Sequence, residues 1–151
     1  MATIRNATEA DVDTIVKMAR HFIAFAPHAT IAEYDDADIA TAIRACMEHG
    51  VLLVAEQDDA VVGMLFGVVS GLWFAPRTLW ASELAWWVEP AARGGTAGIR
   101  LITAFQDWAR EQGAKVVAMS SLHLDHDNRV SSVLQRMGFE QSEHTYIKRI
   151  A

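Results

Sequence analysis

The stretch TLWASELAWWVEPAARGGTAGIRLITAFQDWAREQG, Thr78 to Gly113, carries the reading of the fold. Thr78 to Val88 is aromatic and apolar with one ionisable side chain, Glu83, the composition of a strand covered on both faces. Pro90 has no amide N–H and ends any ladder. Gly94 and Gly95 follow, and then Gly98, Leu101, Ile102, Phe105, Trp108 and Ala109 recur at helical spacing until Gly113 supplies a stop. With so little slack between strand and helix, the unpaired N–H groups of the helix's first turn point back into the glycine-rich turn.

Such a turn has a chemical use. Glycines let a ligand approach the backbone, while free N–H groups and the positive end of the helix dipole attract an anion such as a pyrophosphate. Two nucleotide-type patterns fail here. Gly94, Gly95 and Gly98 are wrongly spaced for G-x-G-x-x-G, and no Lys follows Gly98 as G-x-x-x-x-G-K-[ST] requires. What stands is V-x-P-x-x-R-G-x-x-x-G, from Val88 through Pro90 and Arg93 to Gly98.

The chain has 151 residues, the length of one domain with a sizeable core, and we read 1–151 as a single unit. Although 52% of residues are hydrophobic, no run is long enough to span a bilayer, and MATIRNATEADVD lacks the regions of a signal peptide. Together with the lone Cys46, this leads us to expect a cytoplasmic protein without a membrane partner. Ile39, Ile43 and Met47 place Cys46 on an apolar helix face, as a packed thiol and not a nucleophile. The net charge of −6 and the absence of a Lys/Arg block argue against nucleic acid and favour a cationic acceptor. Surface strands and the apolar fraction lead us to expect a homodimer.

From the N-terminus, Thr3 to Ala7 reads as a strand, and Thr8 with Asp11 as a helix-start box for a helix with the stripe Val12, Ile15, Val16, Ala19, Phe22 and Ile23. Acidic residues between Glu33 and Asp38 cap a second helix that runs from about Asp38 to His49, or alternatively form a lid for a basic substrate. Val51–Glu56 and Ala60–Trp73 form a hairpin, with Gly63, Gly67 and Gly71 marking bulges or close approaches. Lys115–Ser121 is a further strand, Val130, Val133, Leu134 and Met137 line one helical face, and a last strand is expected over Glu143–Arg149. The sum is an α/β (α+β) single domain with a mixed sheet flanked by helices. His123, Asp125, His126 and Asp127 could ligate a metal but read better as a capping loop, so no metal is expected. No nucleophile elbow is present.

Two motifs carry a family resemblance. The turn Arg93–Gly98 resembles the R-x-x-G-x-G/A acyl-coenzyme A loop of the GNAT superfamily of N-acyltransferases, with Thr96 where that loop has its first glycine. Asn128 to Phe139 resembles that family's N-x-x-A-x-x-L-Y-x-x-x-G-F helix, with Asn128, Leu134, Gly138 and Phe139 matching, Ser131 for Ala and Gln135 for Tyr. The resemblance implies a GNAT-like, mostly antiparallel sheet and an acetyl-coenzyme A dependent N-acetyltransferase. It also implies cofactor contacts from Trp86, Val88, Arg93, Gly94, Gly95, Thr96, Ala97, Gly98, Asn128 and Ser131.

The chemistry follows from the groups. The acceptor that the resemblance implies is a primary amine on a small molecule or peptide, protonated at neutral pH, so attack on a thioester needs a base. Glu83, a carboxylate alone in an apolar strand, is the candidate, with a raised pKa; a purely structural Glu is the other reading. A backbone N–H between Trp86 and Val88 is the candidate donor to the developing oxyanion. Tyr146 is the candidate acid in place of the family Tyr. Trp73, Trp86 and Trp87 belong either to the core or to an acceptor pocket. The alternative is a non-catalytic acyl-coenzyme A binding or interaction module, to which the Thr96 and Gln135 departures lend weight.

Overall fold

A computed structural model describes residues 1–26, 29–122 and 129–150. Strands β1 (Thr3–Asn6), β2 (Val51–Gln57), β3 (Ala60–Leu72), β4 (Ala75–Val88) and β5 (Val116–Ala118) form one sheet in sequential order. All neighbours are antiparallel except β4 and β5, which are parallel. Helices α1 (Val12–Phe25) and α2 (Asp36–His49) cover one face, and α3 (Ala97–Glu111) with α4 (Arg129–Arg136) the other.

Two cores result from strands buried on both sides. Val54, Met64, Phe66, Ala85 and Trp87 face Ile15 and Ile43 of α1 and α2, while Leu53, Leu65 and Ala81 face Leu101, Ile102 and Phe105 of α3. This is why β2 and β4 read as continuous apolar runs and not as alternation. Cys46 is buried, its Sγ donating to the Val51 carbonyl at 3.3 Å, and burial pushes its thiol pKa up. That is the packed thiol its helical stripe predicts.

Glycines in β3 serve close approach. A Cβ at Gly67 would lie 2.2 Å from Phe105 Cε2, and one at Gly71 would lie 2.3 Å from the Pro76 carbonyl oxygen. The β2–β3 turn is made by Asp58 and Asp59 at φ 51° and 60°, the primed geometry that matches strand twist. The β3–β4 turn is tighter than its sequence suggests, because Trp73 and Phe74 alone join the strands and Pro76 already belongs to β4.

Helix starts are set by carboxylates. Asp35 Oδ1 accepts from the Asp38 N–H at 2.9 Å and the Asp35 N–H donates back to Asp38 Oδ2 at 3.1 Å. The helix therefore begins at Asp36, two residues before its predicted start, and two of the acidic residues of this loop are caps. In the 3-10 turn Glu9–Asp11 that leads into α1, Asp11 accepts from the Thr8 N–H at 2.7 Å and takes both Arg5 Nη atoms at 2.7 and 2.9 Å, while Arg5 Nε donates to Glu56 Oε2 at 2.8 Å.

The Arg5 guanidinium holds the Asp11 carboxyl well below the usual carboxylate range, opposed by burial. Asp11→Ala leaves Arg5 without its bidentate partner, and denaturant unfolding is expected to show a loss of about 2–3 kcal/mol. Because the folded pKa is depressed, this stabilisation is present above the unfolded carboxyl value of about 3.9 and is lost as pH falls below it.

Two expectations are corrected. β5 is three residues long, not Lys115–Ser121. The strand expected over Glu143–Arg149 does not form: the segment is exposed, with Tyr146 90% and Ile147 57% accessible. A strand needs a hydrogen-bonding neighbour, and the short β5 offers too little ladder for one to be laid beside it.

Candidate active site

β4 is the spine of the site. Its pairing with β3 shifts where Phe66 faces Ala85 and Gly67 faces Glu83, so Leu84 has no partner and bulges. Leu84 is 56% exposed. On the other edge, β5 accompanies β4 only from Trp80 to Ser82. From Glu83 to Val88 that edge of β4 has no strand neighbour among the described residues. The bulge, the fork and the lone carboxylate thus coincide at Glu83.

Glu83 is partly buried, and Oε2 accepts the Ser120 N–H at 3.0 Å. Burial lifts its pKa to about 7, against the opposing pull of that hydrogen bond. This matches the raised carboxyl inferred from its isolation in the strand.

The open edge leads into the turn. After Pro90–Ala92, Gly94 adopts φ +86°, and a Cβ there would meet nothing within 4 Å. Thr96 is αR, with φ −94°, so its departure from the family glycine costs no backbone strain; the left-handed position is Gly94. α3 starts at Ala97, and Arg100 N–H is the donor that closes onto Thr96 O at 3.0 Å, which leaves the amides of Ala97, Gly98 and Ile99 without intrahelical acceptors. Ala97 is buried, and a Cβ on Gly98 would stand 3.0 Å from Trp86 Cζ2 and 3.6 Å from Val88 Cγ2. Trp86, Val88, Thr96, Ala97 and Gly98 are therefore brought together, around a cradle that is open at Gly94, while a Cβ on Gly95 would lie 3.6 Å from the Ala92 carbonyl oxygen.

Arg93 is engaged elsewhere. Its Nε donates to the Val88 carbonyl at 2.8 Å and its guanidinium lies 4.4 Å from the Trp87 ring centroid. Phe25 packs on the same indole at 5.3 Å, and His21 Nδ1 lies 3.0 Å from Glu89 Oε1, so the end of α1 is tied to the end of β4. Trp87 belongs to the core, while Trp73 is 93% exposed at the hairpin tip, remote in sequence register from the fork.

Ser131 lies on α4, whose buried residue is Leu134, and Gly138 at φ +88° ends it, with the Phe139 N–H bonded to Leu134 O at 3.0 Å. Gln135 is exposed. Asn128, like His123, Asp125, His126 and Asp127, lies outside the described residues. Among the described residues no cluster of His, Cys, Asp or Glu could hold a metal ion, and no helix is long and apolar enough to cross a membrane. Tyr146 does not join the site as expected: it is 90% exposed in the segment that forms no strand. The features that sequence reading missed are Ser120, a backbone donor with no side-chain signal, and the Leu84 bulge, hidden in a strand without alternation.

Known proteins share this architecture. The chain is 26% identical over 140 residues to an uncharacterized N-acetyltransferase, YhfO, of Bacillus subtilis (strain 168), covering 91% of this chain and 89% of that one. The structure is similar to that of a transcriptional regulator from Bacillus halodurans C-125, with TM-score 0.79 and 20% identity over 99% of this chain and 100% of that one. It is also similar to AAC(6')-Iy in complex with the bisubstrate analogue CoA-S-monomethyl-acetylneamine, with TM-score 0.78 and 17% identity over 100% and 99% of the two chains. The acetyltransferase (GNAT) family model matches residues 16–139, which take in most of both cores, the fork at Glu83 and the turn into α3, and the chain belongs to that family.

Proposed function

We propose that this acetyltransferase moves the acetyl group of acetyl-coenzyme A directly to a primary amine of a small molecule or peptide. The observation that carries the reading is the continuity from the open edge of β4, Glu83–Val88, into the free N–H groups of Ala97, Gly98 and Ile99. The cradle suits a pyrophosphate, since a group can approach Gly94 and Gly95 without meeting a Cβ and three amides are free to donate. The backbone N–H and C=O groups on the open edge of β4, the Val88 carbonyl apart because Arg93 Nε occupies it, suit an extended, amide-bearing arm that adds to the sheet as a strand would. Backbone N–H groups of Trp86 to Val88 are the candidate donors to charge developing on the thioester oxygen. Glu83 Oε1 is free of the Ser120 bond and can take a proton from the amine, directly or through water. Support comes also from the relative named for N-acetyl transfer and from the similar fold crystallised with a coenzyme A bisubstrate analogue.

Tyr146 is exposed and Gln135 stands in the family Tyr position, so neither is offered as the acid for the thiolate. A thiol of pKa about 8.5 leaves tolerably without one. The same observation favours the second reading, a module that binds acyl-coenzyme A without turnover. Acetyl-coenzyme A assayed with a panel of amines, beside a thermal-shift measurement, separates them. Transfer to any amine supports the enzyme; stabilisation with no transfer supports the module.

We further infer a homodimer built on the β3–β4 ribbon. β2 stops at Val51 opposite Gly67, so the β3 edge over Val68–Leu72 has no strand neighbour among the described residues, and Trp73 and Phe74 beyond it are 93% and 67% exposed. From Ala60 to Ser82 only Arg77 is charged, so two acidic chains meet there with least repulsion. Light scattering at micromolar concentration is expected to give a dimer for the wild type and a monomer for the Trp73→Ser/Phe74→Ser double variant. A wild-type monomer overturns the inference.

A further inference from the structure

β5 is a strand with very little holding it. Its ladder to β4 covers Trp80–Ser82 opposite Val116–Ala118, preceded by one backbone bond from the Lys115 N–H to the Leu79 carbonyl at 2.8 Å. Where a longer strand would continue the ladder, the next bond is of another kind. The Ser120 N–H donates to the side chain of Glu83, at 3.0 Å. A carboxylate thus stands in for a backbone carbonyl at the point where the strands part, and hydrogen bonds to ionised acceptors are roughly twice as strong as neutral ones.

We propose that Glu83 is a clasp as well as a base: its Oε2, holding the Ser120 amide across the fork, fixes the direction in which Met119–Leu122 leaves β4 and so sets the width of the cleft that opens beside Glu83. The positioning role is carried by Oε2 and proton transfer falls to Oε1, so one side chain serves both without exchanging partners. Without the clasp, β5 is left with three paired residues, and Met119–Leu122 loses its tie to β4. A ligand in the cleft would then have to order that wall as it binds, which lowers its affinity.

The affinity part rests on the proposed acetyl-coenzyme A site, whereas the clasp itself does not, and the two are separable by experiment. Glu83→Gln keeps an amide oxygen as acceptor; Glu83→Met keeps the bulk and removes the acceptor. Amide hydrogen exchange of the full chain is expected to show Ser120 protection unchanged in Glu83→Gln and exchange at least tenfold faster in Glu83→Met. Calorimetry with acetyl-coenzyme A is expected to show affinity within twofold of wild type for Glu83→Gln and at least tenfold weaker for Glu83→Met. Glu83→Ala repeats both measurements if the Met variant fails to fold. Wild-type exchange at Ser120 in Glu83→Met overturns the clasp. Faster exchange with unchanged affinity overturns its control of the cleft. If Glu83→Gln turns over normally while Glu83→Met shows both losses, the base reading falls and the clasp stands.

Discussion

Gly98→Asp is expected to abolish acetyl-coenzyme A binding while the protein stays folded. The position is crowded and electrically specific at once. A Cβ there already lies 3.0 Å from Trp86 Cζ2, so the indole must move by a few tenths of an ångström to admit it. The added carboxylate then sits in the first turn of α3, where it takes the free N–H groups for itself and repels a pyrophosphate. Loss of the charge-assisted bonds, at about 1.5–3 kcal/mol each, together with the repulsion amounts to more than a hundredfold in affinity. Gly98→Ala brings the Cβ without the charge and is expected to weaken binding by about tenfold, the cost of shifting the indole. Calorimetry checks both, with circular dichroism and the melting transition as controls for folding. A folded Gly98→Asp protein with wild-type affinity means that the anion binds elsewhere.

The stretch Thr78–Gly113 made the strand, turn and helix legible because each is written in local chemistry: an apolar run, a proline, glycines and a helical stripe. The cradle followed from the same residues, although the left-handed glycine is Gly94 and not the position occupied by Thr96. What could not be read was set by partners distant in sequence. Arg93 was expected on an anion, but its guanidinium has the Trp87 face and the Val88 carbonyl within reach. The Leu84 bulge is a matter of register between β3 and β4, and a strand buried on both faces has no alternation to betray a slip. The final strand was expected from the residue pattern of Glu143–Arg149 alone, whereas strand formation depends on a neighbour, and β5 ends after Ala118. Glu83 was legible because an ionisable group inside an apolar run is an exception by composition. Its partner, a backbone N–H, carries no such mark.

Turnover is expected to fall about a hundredfold or more in Glu83→Gln, with cofactor affinity nearly unchanged, the signature of a lost general base and not of a lost binding group. The amide preserves shape and the bond to Ser120 but cannot accept the proton. The pH dependence gives the stricter measurement. Burial holds the Glu83 carboxyl at about 7, above its unfolded value, so the base is protonated and idle in acid and becomes competent as pH rises through that point. Wild-type kcat/KM should therefore rise tenfold per pH unit well below 7 and level off above it, at fixed concentration of unprotonated amine. The Gln variant should lose that limb and stay flat with pH under the same condition. The stability linkage has the opposite sense. A carboxyl raised on folding favours the native state below its unfolded pKa of about 4.3, and this contribution is lost as pH climbs through 7, so activity appears over the range in which the protein gives up stability. A Gln variant with near-normal turnover and an unchanged acid limb assigns the proton path to water or to the substrate, and leaves Glu83 only its hold on Ser120.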